Sequence, residues 1–97
     1  MTAAKHLNRH AAMMNRMAQQ MGGDLSMEMA SGRLSGEGWR DALIRCTKCR
    51  EAGACLLWLA EHDPQSNPAK APPAYCENRL MMSRLRATIG AEPQGVE

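Results

Sequence analysis

Four cysteines are the residues of this chain whose type and spacing could do chemistry. Cys46, Cys49, Cys55 and Cys76 form the pattern C-x2-C-x5-C-x20-C, and they are all the cysteines in 97 residues. Four thiolates can bind one metal centre, either as a zinc site or as an iron–sulfur cluster. The pattern therefore predicts that these four residues are the ligands of a single site.

Zinc and iron compete for such a site. Structural zinc bound by four cysteines often takes them from two C-x2-C turns, and this chain has one C-x2-C. A [4Fe-4S] cluster tolerates irregular spacing, because its four ligands lie further apart. We therefore favour a [4Fe-4S] cluster, with Zn2+ as the alternative and with [2Fe-2S] still open.

Cysteines without a metal are the other interpretation. They would be buried or paired thiols, but four clustered cysteines in a reducing compartment more often indicate metal or redox chemistry. A thioredoxin-like C-x2-C follows a strand, whereas here a helix is predicted before it.

Length and composition predict one domain over residues 1–97. The chain has two Trp, one Tyr, no Phe and nine Met, so its core is thin and a metal would help to hold it together. The net charge of +2 is too balanced to indicate nucleic acid, and a DNA-binding regulator with a cationic helix is the weakest alternative. No apolar run approaches the ~20 residues of a membrane span, and no signal peptide is recognisable. We expect a cytoplasmic protein with no membrane partner.

The elements that must position the cysteines are predicted to be helices. Glycines, prolines and capping residues divide the chain, and no segment alternates with the period of a strand. The predicted helices cover residues 3–21, 24–31, 54–62 and 75–89, together with a third helix that Ser35 caps and whose end lies between Cys46 and Cys49. Residues 91–97 are predicted to be a loose tail. The expected fold class is all-α, a small bundle of about five short helices organised around the four-cysteine metal site.

The predicted helices also place the ligands. Cys46 falls on the buried stripe of the third helix, while Cys55 and Cys76 fall in the first turns of the next two, where free N–H groups lower thiol pKa values and can donate to sulfur. The helix of residues 54–62 is apolar nearly all round and is expected to be buried. Five residues are expected around the ligands: Arg45 and Lys48 for their charge, Gly53 for a positive φ close to the ligand, Trp58 as a shield, and Asn78.

Methionines and histidines of the first helix have less specific interpretations. Met13, Met14, Met17 and Met21 could bind Cu(I), but a stripe at helical spacing is more typical of a core, with Met13 partly exposed. His6 and His10 lie one turn apart and are expected on a solvated face. No pattern of nucleophile, base and acid is present, so we do not expect an enzyme.

Two resemblances follow from these motifs. The C-x2-C-x5-C segment resembles part of the cluster loop of endonuclease III-type DNA glycosylases. This resemblance bears on which metal is bound and not on DNA repair. Most of residues 14–86 resembles a family of small, uncharacterised bacterial proteins, a domain-of-unknown-function family found mainly in alphaproteobacteria. The matching motifs are Met-Gly-Gly-Asp-Leu at 21–25, Gly-Arg-Leu-Ser at 32–35, Arg-Cys-x-x-Cys at 45–49, Gly-Ala-Cys-x-x-Trp-Leu at 53–59 and Pro-x-x-Cys-x-Asn at 73–78. The resemblance implies one four-cysteine site, although Glu77 stands where the family has proline, and it implies no activity.

The expected function is that of a small iron–sulfur protein. It would transfer one electron or sense oxygen or redox state, and its partner would be an unidentified redox or regulatory protein. The alternative is a zinc-stapled helical module without redox activity, which would bind another protein through Met13 and exposed arginines.

Overall fold

The computed structural model describes residues 2–67 and 69–91. These residues form five α-helices joined by turns and loops. Their bounds are Thr2–Gln20 (α1), Leu25–Ala30 (α2), Gly36–Thr47 (α3), Ala52–Glu61 (α4) and Arg79–Ala91 (α5). Those residues form no strand, and the prediction of an all-α fold is confirmed for them. Within them, no helix is both long and apolar enough to cross a membrane. The predicted tail lies outside the described residues, apart from Ala91 at the end of α5.

Local signals in the sequence set the ends of the first three helices. After α1, Gly22 adopts a φ of 88°, which reverses the chain. Asp24 caps α2 by accepting from the backbone N–H groups of Ser26 and Met27 at 2.8 and 3.3 Å. Ser35 caps α3 by accepting from the N–H of Gly38 at 2.9 Å. These caps are the residues that the sequence predicts.

Helix α1 is the central element of the fold. It packs against α3, α4 and α5, and these are the most extensive helix–helix contacts among the described residues. Its buried face supplies four core residues and a fifth follows its last turn, and apolar side chains of the other helices and of the α4–α5 loop cover them. The core residues on α1 and just after it are Met13, Met14, Met17, Ala18 and Met21. Methionine thus takes the place that aromatic residues have in most cores.

Several burial predictions are wrong. Only Leu59 of α4 is buried, and Leu57 is 68% exposed, because α4 contacts the core through one face although it is apolar all round. Met13 is 4% exposed rather than partly exposed. On α5 the sequence predicts Leu80 or Met81 on the buried stripe, whereas Leu80 is exposed, Met81 is partly buried and Met82 is buried.

The start of α5 also differs from the prediction. The sequence predicts a helix from residue 75, whereas α5 begins at Arg79. Two successive turns precede it: the N–H of Cys76 donates to the carbonyl of Pro73 at 3.0 Å, and the N–H of Arg79 donates to the carbonyl of Cys76 at 3.1 Å. Cys76 therefore lies in a turn before the helix, and the carbonyl of Asn78 accepts the first helical hydrogen bond, from Met82.

Candidate metal centre

The four cysteines line one cavity. Cys46 lies in the last turn of α3, Cys49 just after it, Cys55 in the first turn of α4, and Cys76 in the turn before α5. All four are half-buried and none forms a disulfide. The cavity has a volume of about 30 Å³, more than the roughly 10–15 Å³ that one water molecule needs. The fold thus brings together all the ligands that the spacing predicts.

The charges of the four thiols affect one another in every pairwise combination. Burial is the larger effect: it raises the pKa of Cys46 to about 12 and that of Cys55 to about 11, and neighbouring cysteines raise both further. Burial also raises the pKa of Cys76, and Cys49 adds to the effect. The expected lowering at helix starts is therefore wrong for Cys55 and Cys76, because burial outweighs the helix N–H groups. Neutral thiols are poor nucleophiles, so the raised pKa values of Cys46, Cys55 and Cys76 disfavour thiol–disulfide chemistry at these three residues.

Three of the four sulfurs nevertheless have a neighbour that favours negative charge on them. The backbone N–H of Glu51 donates to Sγ of Cys49 at 3.4 Å, and the backbone N–H of Asn78 bonds to Sγ of Cys76. The guanidinium of Arg16 acts to lower the pKa of Cys55. Such groups stabilise thiolates once a cation replaces the thiol protons.

The donor set suits a thiophilic metal. Thioether side chains line the cavity beside the thiols, and soft sulfur ligands select iron–sulfur clusters, zinc or Cu(I). The methionines on the wall are Met13, Met14, Met17 and Met82. Among residues 2–67 and 69–91, no three His, Cys, Asp or Glu side chains are arranged to hold one metal ion. A single metal ion would therefore require the thiols to move closer together than they lie here.

Asn78 and Arg45 form a linked pair beside the cysteines. Asn78 lines the cavity and is 3% exposed. Its Oδ1 accepts from Nε of Arg45 at 2.7 Å, and its Nδ2 donates to the carbonyl of Ala42 at 2.8 Å. Arg45 thus lies outside the cavity wall and contacts Asn78.

The other three residues expected around the ligands lie further out. Lys48 lines an open groove on the surface that shares Cys76 with the cavity. Gly53 lies inside α4 and has no positive φ, since α4 begins two residues earlier than predicted. Trp58 lies outside the cavity wall, and its ring stacks on that of His62 with centroids 4.3 Å apart.

His10 is a cavity residue that the sequence interpretation missed. It is 3% exposed rather than solvated. Its Nδ1 lies 3.4 Å from Sγ of Cys46, and that thiol lies 3.6 Å from the carbonyl oxygen of His10. Burial lowers the pKa of His10, and His6 and Arg9 lower it further. The missed signal is its register: His10 precedes Met14, Met17 and Met21 at helical spacing on the buried stripe.

Comparisons with known proteins identify a family and nothing further. The family described as "Family of unknown function (DUF6455)" matches residues 1–88. The expected resemblance to a domain of unknown function is thereby confirmed. No curated protein and no solved structure matches the chain.

Proposed function

Because the chain belongs to the DUF6455 family, whose function is unknown, we propose a function from its cysteine site. The protein is a small [4Fe-4S] protein that transfers one electron or senses oxygen or redox state. The observation that carries this proposal is that four thiols from three parts of the chain line one cavity. A fold that brings all its cysteines together without pairing them is typical of a metal centre.

The surroundings of the thiols support a cluster in particular. A [4Fe-4S] cluster, when bound, supplies a centre that gains and loses one electron. Cys46, Cys49, Cys55 and Cys76 would hold it, and the methionines of α1 would exclude water. The N–H groups of Glu51 and Asn78 donate toward sulfur, and such hydrogen bonds help to set the reduction potential.

The proposal also covers the partner of the protein and the compartment in which it acts. The protein exchanges electrons with, or regulates, a protein partner rather than catalysing a reaction of its own. It acts in the cytoplasm, where a reducing environment keeps thiols available for a metal. An alphaproteobacterial origin, implied by the motifs, belongs to the same proposal.

An absorption spectrum with metal and sulfide analysis tests the proposal. Protein purified without oxygen should be brown and should contain about four iron and four sulfide per chain. Reversible reduction of that cluster would support the electron carrier, whereas rapid cluster loss in air with unfolding would support the sensor. A colourless protein with neither iron nor sulfide would overturn both.

Single cysteine substitutions give the first prediction. Changing any of the four to Ser should lower the iron content and the melting temperature together, since all four hold one centre. The control is Thr47→Ser, which lies between two ligands and keeps the hydroxyl that donates to the carbonyl of Ile44. A Cys→Ser variant that keeps the wild-type iron content and melting temperature would contradict the shared site.

A zinc-stapled interaction module is the second candidate. The observation that favours it is exposed apolar surface, because Leu57 and Leu80 are 68% and 64% exposed. Met13 has no place in such a surface, since it is buried. One zinc per chain in a colourless protein would favour this candidate.

A further inference from the structure

His10 is a buried side chain that the roles given above do not use. It lies on the face of α1 that lines the cavity, and it contacts Cys46 on α3. Burying a polar ring costs free energy unless the ring is hydrogen-bonded. Since its Nδ1 faces Sγ of Cys46 at 3.4 Å, the cysteine sulfur is the partner that satisfies this nitrogen.

We propose that His10 donates a hydrogen bond from Nδ1–H to Sγ of Cys46 and thereby raises the reduction potential of the cluster. This inference rests on the proposed iron–sulfur function. His10 acts through Cys46 and is a positioning residue, not a ligand.

The direction of the hydrogen bond follows from the two contacts between these residues. In the thiol form, the S–H group can donate to the carbonyl oxygen of His10 at 3.6 Å, which leaves the sulfur lone pairs to accept from Nδ1–H. When Cys46 binds a metal it loses its proton. The contact between Nδ1–H and Sγ then remains, whereas the S–H group of Cys46 no longer donates to the carbonyl oxygen of His10. The imidazole keeps its proton throughout.

Such a hydrogen bond favours the reduced state. Reduction adds one electron to the cluster and increases the negative charge on its thiolates, so an N–H donor stabilises the reduced form more than the oxidised form. Groups that orient and polarise metal ligands in this way commonly tune a metal site. Removing the donor should therefore make the cluster harder to reduce.

A pair of substitutions separates the donor from the bulk of the ring, and this is the second prediction. His10→Leu removes the N–H, whereas His10→Asn keeps an N–H close to the position of Nδ1. With wild-type iron and sulfide content, the Leu variant should have a lower midpoint potential, and the Asn variant should stay near wild type. The control is His62→Leu, because His62 contacts the carbonyl of Trp58 at 2.8 Å and lies outside the cavity wall.

Spectroscopy of the wild-type protein keeps the inference testable if the Leu variant does not fold. With 15N-labelled histidine, electron paramagnetic resonance of the reduced cluster should show one weak nitrogen coupling. His10→Asn should abolish that coupling while keeping the potential. No coupling in the wild type would overturn the inference, and so would a strong coupling, which would make His10 a ligand.

The failures of the two proposals are distinguishable. An iron-loaded wild type whose potential is unchanged in His10→Leu overturns the role of His10 and leaves the iron–sulfur function standing. A wild type without iron and sulfide overturns both.

Discussion

At the scale of single residues, Asn78 joins the cavity to α3. It follows Cys76 by two residues, its backbone N–H bonds to that sulfur, and its amide bonds to Arg45 and to the carbonyl of Ala42. One side chain thus fixes the turn that carries the last ligand against the helix that carries the first. Because Asn78 is only 3% exposed, water cannot replace these hydrogen bonds.

The third prediction is that Asn78→Ala lowers the free energy of unfolding by about 2 kcal/mol, since it removes one buried and one partly buried hydrogen bond. It should also weaken retention of the cluster, because Cys76 would no longer be fixed against α3. The measurements are denaturant unfolding and iron content after dialysis against a chelator.

The control for Asn78 is Asn8→Ala, an exposed position on α1. Its unfolding free energy should change by less than about 0.5 kcal/mol. Equal effects of the two substitutions would contradict a structural link at Asn78.

Residue types and spacing predicted that the four cysteines lie together, which the shared cavity confirms; that they bind a metal stays a prediction. His10 was missed because its role depends on α1 lying beside α3, which no local signal encodes. Its place on a methionine stripe indicated burial, but burial alone does not name a partner.

At the scale of helices, Gly22 and Gly53 differ in their backbone conformation. Gly22 ends α1 with a φ of 88°, which favours glycine strongly. Gly53 lies inside α4 with an ordinary φ, and a Cβ added there would meet no atom within 4 Å.

The fourth prediction follows from that difference. Gly22→Ala should destabilise the protein by about 1–2 kcal/mol, whereas Gly53→Ala should stabilise it by up to about 1 kcal/mol, because alanine favours helix. Thermal unfolding of both variants measures the effect. Loss of iron from Gly53→Ala would restore the predicted role of Gly53 beside the ligand.

Helix boundaries were predicted well where a cap defines them and poorly where it does not. Asp24 and Ser35 cap α2 and α3 through side-chain hydrogen bonds. No side chain caps α4, so no local signal indicates that this helix begins at Ala52. The late start of α5 depends on the two turns between Pro73 and Arg79. Tertiary contacts such as the hydrogen bond from Asn78 to Ala42 hold these turns, and the local sequence does not encode them.

At the scale of the whole molecule, the cavity lies where three helices converge on α1. The packing of α3, α4 and α5 is chiefly against α1. A centre bound to Cys46, Cys55 and Cys76 would therefore cross-link segments that otherwise meet chiefly through the first helix and through the hydrogen bonds of Asn78. Closing the loop of about 30 residues between Cys46 and Cys76 is worth roughly 3–4 kcal/mol by analogy with a disulfide.

The fifth prediction concerns removal of the cluster. Chelation should lower the melting temperature and speed hydrogen exchange most in the turns around Cys49 and Cys76. The amides of α2, which does not line the cavity, are an internal control and should change least. Unchanged exchange in both turns would show that no cross-link was lost.

The central position of α1 has a consequence for synthesis. Among the described helices α1 leaves the ribosome first, but α5, which completes its surroundings, follows 59 residues after its end. At roughly 5–20 residues per second, this interval is on the order of 3–12 s. Through that time the methionine face is open to water, oxidants and chaperones. The packing around α1 is thus complete only after α5 has been made, and assembly of the proposed cluster would have to wait for Cys76 to emerge.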